Sequence, residues 1–132
     1  MLILALWAAT ALAASPALTP LQEKWLGKPF AATGPNCFGA ALALTGHYPY
    51  MRGVDEPEFR HFTALACERV PEPLPGDIGV FAKAGFGFLH AYAYIGAETG
   101  LHKPGVDYFS GSTVQVASLE SIKFTYLAST EC

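Results

Sequence analysis

Apolar positions fall into three patterns along this chain. Over 1–13 they run unbroken but for one threonine, over 21–66 they come in short helical stretches, and beyond 70 they alternate with polar ones. The first helical stretch, 21–26, follows a Pro-containing lead to Pro20 and is ended by Gly27. The second begins at Cys37 after the breakers Gly34 and Pro35, runs to Thr45, and has Gly46 suited to a left-handed cap. Its Ala and Leu residues are apolar nearly all round, which predicts a buried central helix. A third helix, 58–70, is capped by Asp55 or Glu56 with Pro57 at its first position, and it sets Phe59, Phe62, Leu65 and Ala66 on one face.

Strand signals follow. Pro71 to Asp77 reads as a rigid turn, 78–81 as a short apolar strand and 83–88 as a glycine-bearing loop. From 90 to 95, His90, Tyr92 and Tyr94 share one face while Ala91, Ala93 and Ile95 share the other, which is strand periodicity. A turn over 96–100 and further strands at 101–102, 114–116 and 123–127 complete the pattern. Helices first and an antiparallel sheet afterwards predict an α+β domain with the helices on one side of the sheet.

Composition narrows the function classes. A chain of 132 residues that is 52% apolar and 14% charged is expected to be one domain with a compact core. Eight scattered basic residues and a net charge of -3 offer no stripe for a polyanion, so nucleic acid is not an expected partner. The apolar run 1–13 ends in Ala11-Leu12-Ala13, the small-x-small pattern of a cleaved signal peptide, although no Lys or Arg precedes it. It is shorter than the roughly 20 residues a bilayer span needs. A periplasmic or secreted mature domain over 14–132, without a stable membrane anchor, is the expectation; a membrane anchor or a core helix is the alternative.

Three cysteines leave one over after any single bridge. Cys37 is the candidate for the odd one, with a possible disulfide between Cys67 and Cys132; Cys67 as a small buried residue and Cys132 as a frayed end is the competing reading. Four histidines could suggest zinc, but no Cys-x-x-Cys or His-x-x-x-His pair occurs, and neither a metal nor a cofactor is expected. His47 and His61 read as structural or surface residues.

Cys37 carries the sharpest chemical signal. A thiol on the first turn of a helix meets unbonded N–H groups and the positive end of the helix dipole, both of which favour thiolate, and an imidazolium would favour it further. His90 is placed to supply that ring and shuttle the proton. The Cys37 N–H is a natural donor to an oxyanion.

These residues, in this order, resemble the NlpC/P60 family of cysteine peptidases. Gly27-Lys28-Pro29-Phe30 is similar to that family's Gly-x-Pro-Tyr, and Asn36-Cys37-Phe38-Gly39 to its Asp-Cys-Ser-Gly. Pro75-Gly76-Asp77-Ile78 is similar to its Pro-Gly-Asp-Leu, and His90 to Gly96 to its His-Val-Gly-Ile-Tyr-Ile-Gly strand. The resemblance implies a papain-like core and cleavage of amide bonds, most often in peptidoglycan stem peptides. Cys37 would be the nucleophile, His90 the acid and base, and His102 the residue that orients His90. In a flat hairpin His102 would face Tyr94, so contact with His90 calls for a bulge or strong twist; Asp107 or a backbone carbonyl are substitutes. Phe30, Asn36 and Phe38 depart from the family pattern. Two other functions compete: a non-catalytic binding module with a cleft around Tyr48, Tyr50, Phe86 and Phe88, and a thiol acyltransferase.

Overall fold

A computed structural model describes residues 17–28, 30, 34–104, 113–126 and 130–131. The expected signal peptide over 1–13, Asp107 and Cys132 lie outside the described residues. Among the described residues, no helix is long and apolar enough to cross a membrane.

Among the described residues, four helices and five strands follow in the order α1 (Pro20–Trp25), α2 (Cys37–Leu44), α3 (Glu56–Ala66), β1 (Ile78–Lys83), β2 (Gly87–Gly96), β3 (Thr99–His102), β4 (Gln115–Ser118), α4 (Leu119–Tyr126) and β5 (Thr130–Glu131). The architecture is α+β, with an antiparallel sheet in the order β4-β3-β2-β1-β5. Asn36 caps α2 from an extended backbone, and all eight helical residues are buried, as an all-round apolar helix requires. Thr45 follows as C-cap, and Gly46, at a φ of 81°, takes the left-handed turn out. Gln22 of α1 is buried and donates to the Leu44 carbonyl at 3.3 Å, tying α1 to the far end of α2.

Three expectations are corrected. The α3 helix ends at Ala66, because Cys67 turns to extended backbone (φ -117°, ψ 148°), and its expected face packs only in part: Phe59 is fully buried and Phe62 packs on the same cluster, while Leu65 is 76% exposed. The anticipated loop 83–88 contracts to a hairpin turn in which Phe86 N–H donates to the Lys83 carbonyl at 3.0 Å. Residues 123–126, read as strand, belong to α4. Ser118 Oγ accepts from Ser121 N–H at 3.1 Å, as an N-cap does, and Ile122 is buried on the sheet.

That helix also changes the layering. Ala91, Ala93 and Ile95 of β2 pack with α2, whereas Tyr92 and Tyr94 pack with Phe81 and Ile122 on the opposite face. The sheet is therefore covered on both sides, by α2 on one and α4 on the other, and not on one side alone.

Candidate active site

Cys37 is the first residue of α2 and is buried. The Asn36 side chain fixes that helix start by three hydrogen bonds. Its Oδ1 accepts from Gly39 N–H at 3.0 Å and Val54 N–H at 3.2 Å, and its Nδ2 donates to the Val54 carbonyl at 2.5 Å. An aspartate could accept twice but not donate, so the amide suits this loop. Gly39 is required by close approach: a Cβ there would lie 1.7 Å from the Arg52 carbonyl oxygen.

Burial pushes the Cys37 thiol above its ordinary value, and this outweighs everything pulling the other way. The backbone N–H groups of Ala91, Phe38 and Cys37 itself reach the sulfur and favour thiolate, as does the charge of Lys103. The helix-start environment expected from sequence is thus present, but desolvation wins, and the resting sulfur is a protonated thiol. The Ala91 contact fixes the thiol against β2 at the residue next to His90.

His90 is fully buried, and its Nε2 lies 2.8 Å from Nδ1 of His102, with the rings perpendicular and their centroids 5.0 Å apart. Two irregularities allow the pairing. The β2–β3 turn is only two residues, Ala97 and Glu98, both at positive φ (50° and 53°), the signature of a type I′ hairpin. A bulge at Ile95 then moves the register so that Gly100 faces Tyr94 and Leu101 faces Ala93. Continued by one residue, that register sets His102 opposite Tyr92 and diagonal to His90, not opposite Tyr94 as a flat hairpin would have it. A second bulge, at Leu89, interrupts the β1–β2 ladder beside His90.

Burial lowers the pKa of both rings, and for His90 the nearness of His102 lowers it further, so both are neutral near pH 7. Two neutral imidazoles share one hydrogen bond in only two ways. If His90 Nε2–H donates to His102 Nδ1, the Nδ1 of His90 keeps a lone pair, which is the form a general base needs. In that tautomer His102 Nε2 carries a proton; this buried nitrogen has no hydrogen-bond partner among the described residues.

Other expected residues fall elsewhere. Cys67 is exposed at the end of α3, outside the core, and its possible bridge to Cys132 involves a residue outside the described ones. Phe30 stacks on Trp25, with centroids 5.7 Å apart, inside an apolar cluster. His47 and His61 are exposed, and His47 sits edge-on to Phe62. Tyr48 and Phe88 pack on the core around Phe38 and Phe59, while Tyr50 and Phe86 are exposed, so the four aromatics do not line one cleft. Among the described residues, no group of three His, Cys, Asp or Glu could hold a metal ion.

One residue of the site was missed from sequence. Lys103 is only 6% exposed, follows His102, and acts electrostatically on Cys37. A single lysine before a proline gives no sequence signal of this. No protein-family model, no curated protein and no solved structure matches the chain.

Proposed function

We propose that this protein is an exported cysteine hydrolase of the NlpC/P60 type with a papain-like core, which cleaves an amide bond in a peptidoglycan stem peptide or related peptide. What chiefly supports the reading is the 2.8 Å hydrogen bond between His90 and His102, together with the Cys37 thiol at the first residue of α2, where the Ala91 N–H of β2 reaches it. Export rests on the apolar segment 1–13, which points to the periplasm or beyond.

In this reading Cys37 Sγ attacks the amide carbonyl carbon while its proton passes to His90 Nδ1, and His102 Nδ1 takes the hydrogen bond that keeps that nitrogen unprotonated beforehand. The Cys37 N–H, at the start of α2, is the donor this reading assigns to the oxyanion. His90 returns the proton to the leaving amine as the C–N bond breaks. Water then attacks the thioester, giving a carboxylic acid and free thiol. Because the thiol and both rings are neutral at rest, the proton moves as the substrate is attacked and no standing ion pair is needed.

Incubation with soluble stem peptides, read by mass spectrometry, tests the proposal. Wild type releases new amino termini, whereas Cys37→Ala and His90→Ala release none; equal cleavage by wild type and Cys37→Ala would end it. A second reading, a non-catalytic binding module, draws on the burial that keeps Cys37 protonated. It requires equal peptide affinity in wild type and Cys37→Ala, with turnover by neither. A competing amine or alcohol as acceptor separates hydrolysis from acyl transfer by the product formed.

A further inference from the structure

The sheet leaves part of one edge open. β5 pairs with β1 at Phe81 and Ala82, and among the described residues no strand continues along Ile78, Gly79 and Val80. The ladder with β2 decides which backbone groups point outward there. Tyr94 N–H donates to the Asp77 carbonyl at 2.8 Å, so these two form a hydrogen-bonded pair, and alternation makes Gly79 and Tyr92 the next such pair. The N–H and C=O groups of Ile78 and Val80 therefore turn away from β2. Exposed strand edges of this kind are templates for a further strand.

A cavity of about 760 Å³ lies along this edge, within the roughly 300–1,000 Å³ of ligand clefts. Ile78, Gly79 and Val80 line it together with the stretch 66–71 that follows α3, whereas Cys37, His90 and His102 do not. Its charges separate along β1. Asp77 stands at the head of the strand, its Oδ2 accepting from Leu74 N–H at 2.7 Å, and Glu98 lies near it in the turn after β2. Arg60 stands at the other end, because it follows Phe59, which packs with Val80. Its Nε is 3.6 Å from Glu56 Oε1, a loose and exposed pair that leaves the guanidinium with further donors. Glu68 and Arg69 are adjacent and opposite in charge, and Arg69 has an interaction of its own, so they favour neither end.

We propose that this cavity binds a short free peptide, added to β1 as a parallel strand with its ammonium end at Asp77 and its carboxylate end at Arg60. The central residue of a tripeptide then donates its N–H to the Ile78 carbonyl and accepts from Val80 N–H, and the three residues span about 10 Å. The charges set the direction, since an antiparallel peptide would bring its carboxylate to Asp77. The Tyr92 ring fills the space of a Gly79 side chain, a Cβ there lying 1.9 Å from its Cζ, so small side chains fit beside it. The inference stands apart from the hydrolase reading, because it uses none of that site's residues.

Amide NMR of the full chain, titrated with trialanine, tests it. The expected result is a saturable shift of the Ile78, Gly79 and Val80 amides at millimolar peptide. A tripeptide N-methylated at its central alanine lacks the N–H for the Ile78 carbonyl and should bind roughly tenfold more weakly, or worse. N-acetyl-trialanine amide, neutral at both ends, should bind about fivefold more weakly, and so should trialanine to Arg60→Gln, an exposed substitution.

No shift at Ile78 to Val80 by about 10 mM trialanine overturns the proposal without recourse to any variant. Equal affinity for the N-methylated peptide overturns it too, as do shifts confined to Cys37, His90 and His102. Without peptide, a concentration-dependent shift of the Ile78 and Val80 amides would mean that a second copy takes the edge. Slow exchange of both amides in the peptide-free monomer would mean that the chain itself fills it. Either result would overturn the peptide site.

Discussion

His90 and His102 stand twelve residues apart in the chain, yet Nε2 of the first and Nδ1 of the second lie 2.8 Å apart inside the protein. Each ring fixes which nitrogen of the other carries a proton, and this coupling turns two buried side chains into one candidate catalytic unit.

Removal of His102 should therefore act through His90. His102→Ala frees His90 to adopt either tautomer and leaves its Nε2 without this partner, so turnover falls on the order of 10²-fold, within the range general acid–base groups contribute. His102→Asn, which can still bond His90, retains more. The KM changes little in both, because neither variant alters the thiol. Steady-state kinetics on a soluble stem peptide checks the split between kcat and KM.

Stability should fall in acid. Both rings have folded pKa values below the ordinary 6.5, so below that pH the unfolded chain binds more protons than the folded one and protonation favours unfolding. From about pH 6.5 downward, each ring contributes a loss of up to about 1.4 kcal/mol per pH unit. Urea unfolding at pH 7, 6 and 5 measures it, and His90→Gln with His102→Gln flattens the dependence.

The start of α2 owes its legibility to punctuation. The breakers Gly34 and Pro35 and a run of Ala and Leu that is apolar nearly all round point to a buried helix from Cys37, and the structure buries all eight of its residues. The His90–His102 contact was only half legible. Two strands with a turn between them could be read, but the register depends on a bulge at Ile95 and on positive φ at Ala97 and Glu98, neither of which residue type betrays. Residues 123–126 misled for another reason: their aromatic and β-branched side chains resemble a strand, while the Ser118 cap and the burial of Ile122 on the sheet decide for helix. The α3 face packs at Phe59 and Phe62 but not at Leu65 and Ala66, because the last turn of that helix stands clear of the core.

The Asn36 strap and Gly39 yield a stability prediction. Asn36→Ala removes an N-cap and both bonds to Val54, and costs about 2 kcal/mol. Gly39→Ala forces the Arg52 carbonyl away from α2 and should destabilise at least as much. Asn36→Asp keeps the cap but loses the donation to Val54, and should fall between wild type and Asn36→Ala. Chemical denaturation of the three variants ranks them.

Ile122 tests the second face of the sheet. It is 1% exposed and packs with Phe81, Tyr92 and Tyr94. Ile122→Ala should cost about 2–5 kcal/mol, the usual range for a buried aliphatic cut to alanine. A loss well under 1 kcal/mol in the urea midpoint would mean that α4 does not cover that face.

The central claim is that Cys37 forms a covalent acyl intermediate, and intact-mass spectrometry after rapid acid quench tests it most directly. With a stem peptide present, wild-type protein should gain the mass of the acyl fragment, located at Cys37 by peptide mapping, while the amine fragment appears in solution. Cys37→Ala should gain nothing and release nothing. Release of the amine with Cys37 never modified, and at the same rate in Cys37→Ala, would contradict the account.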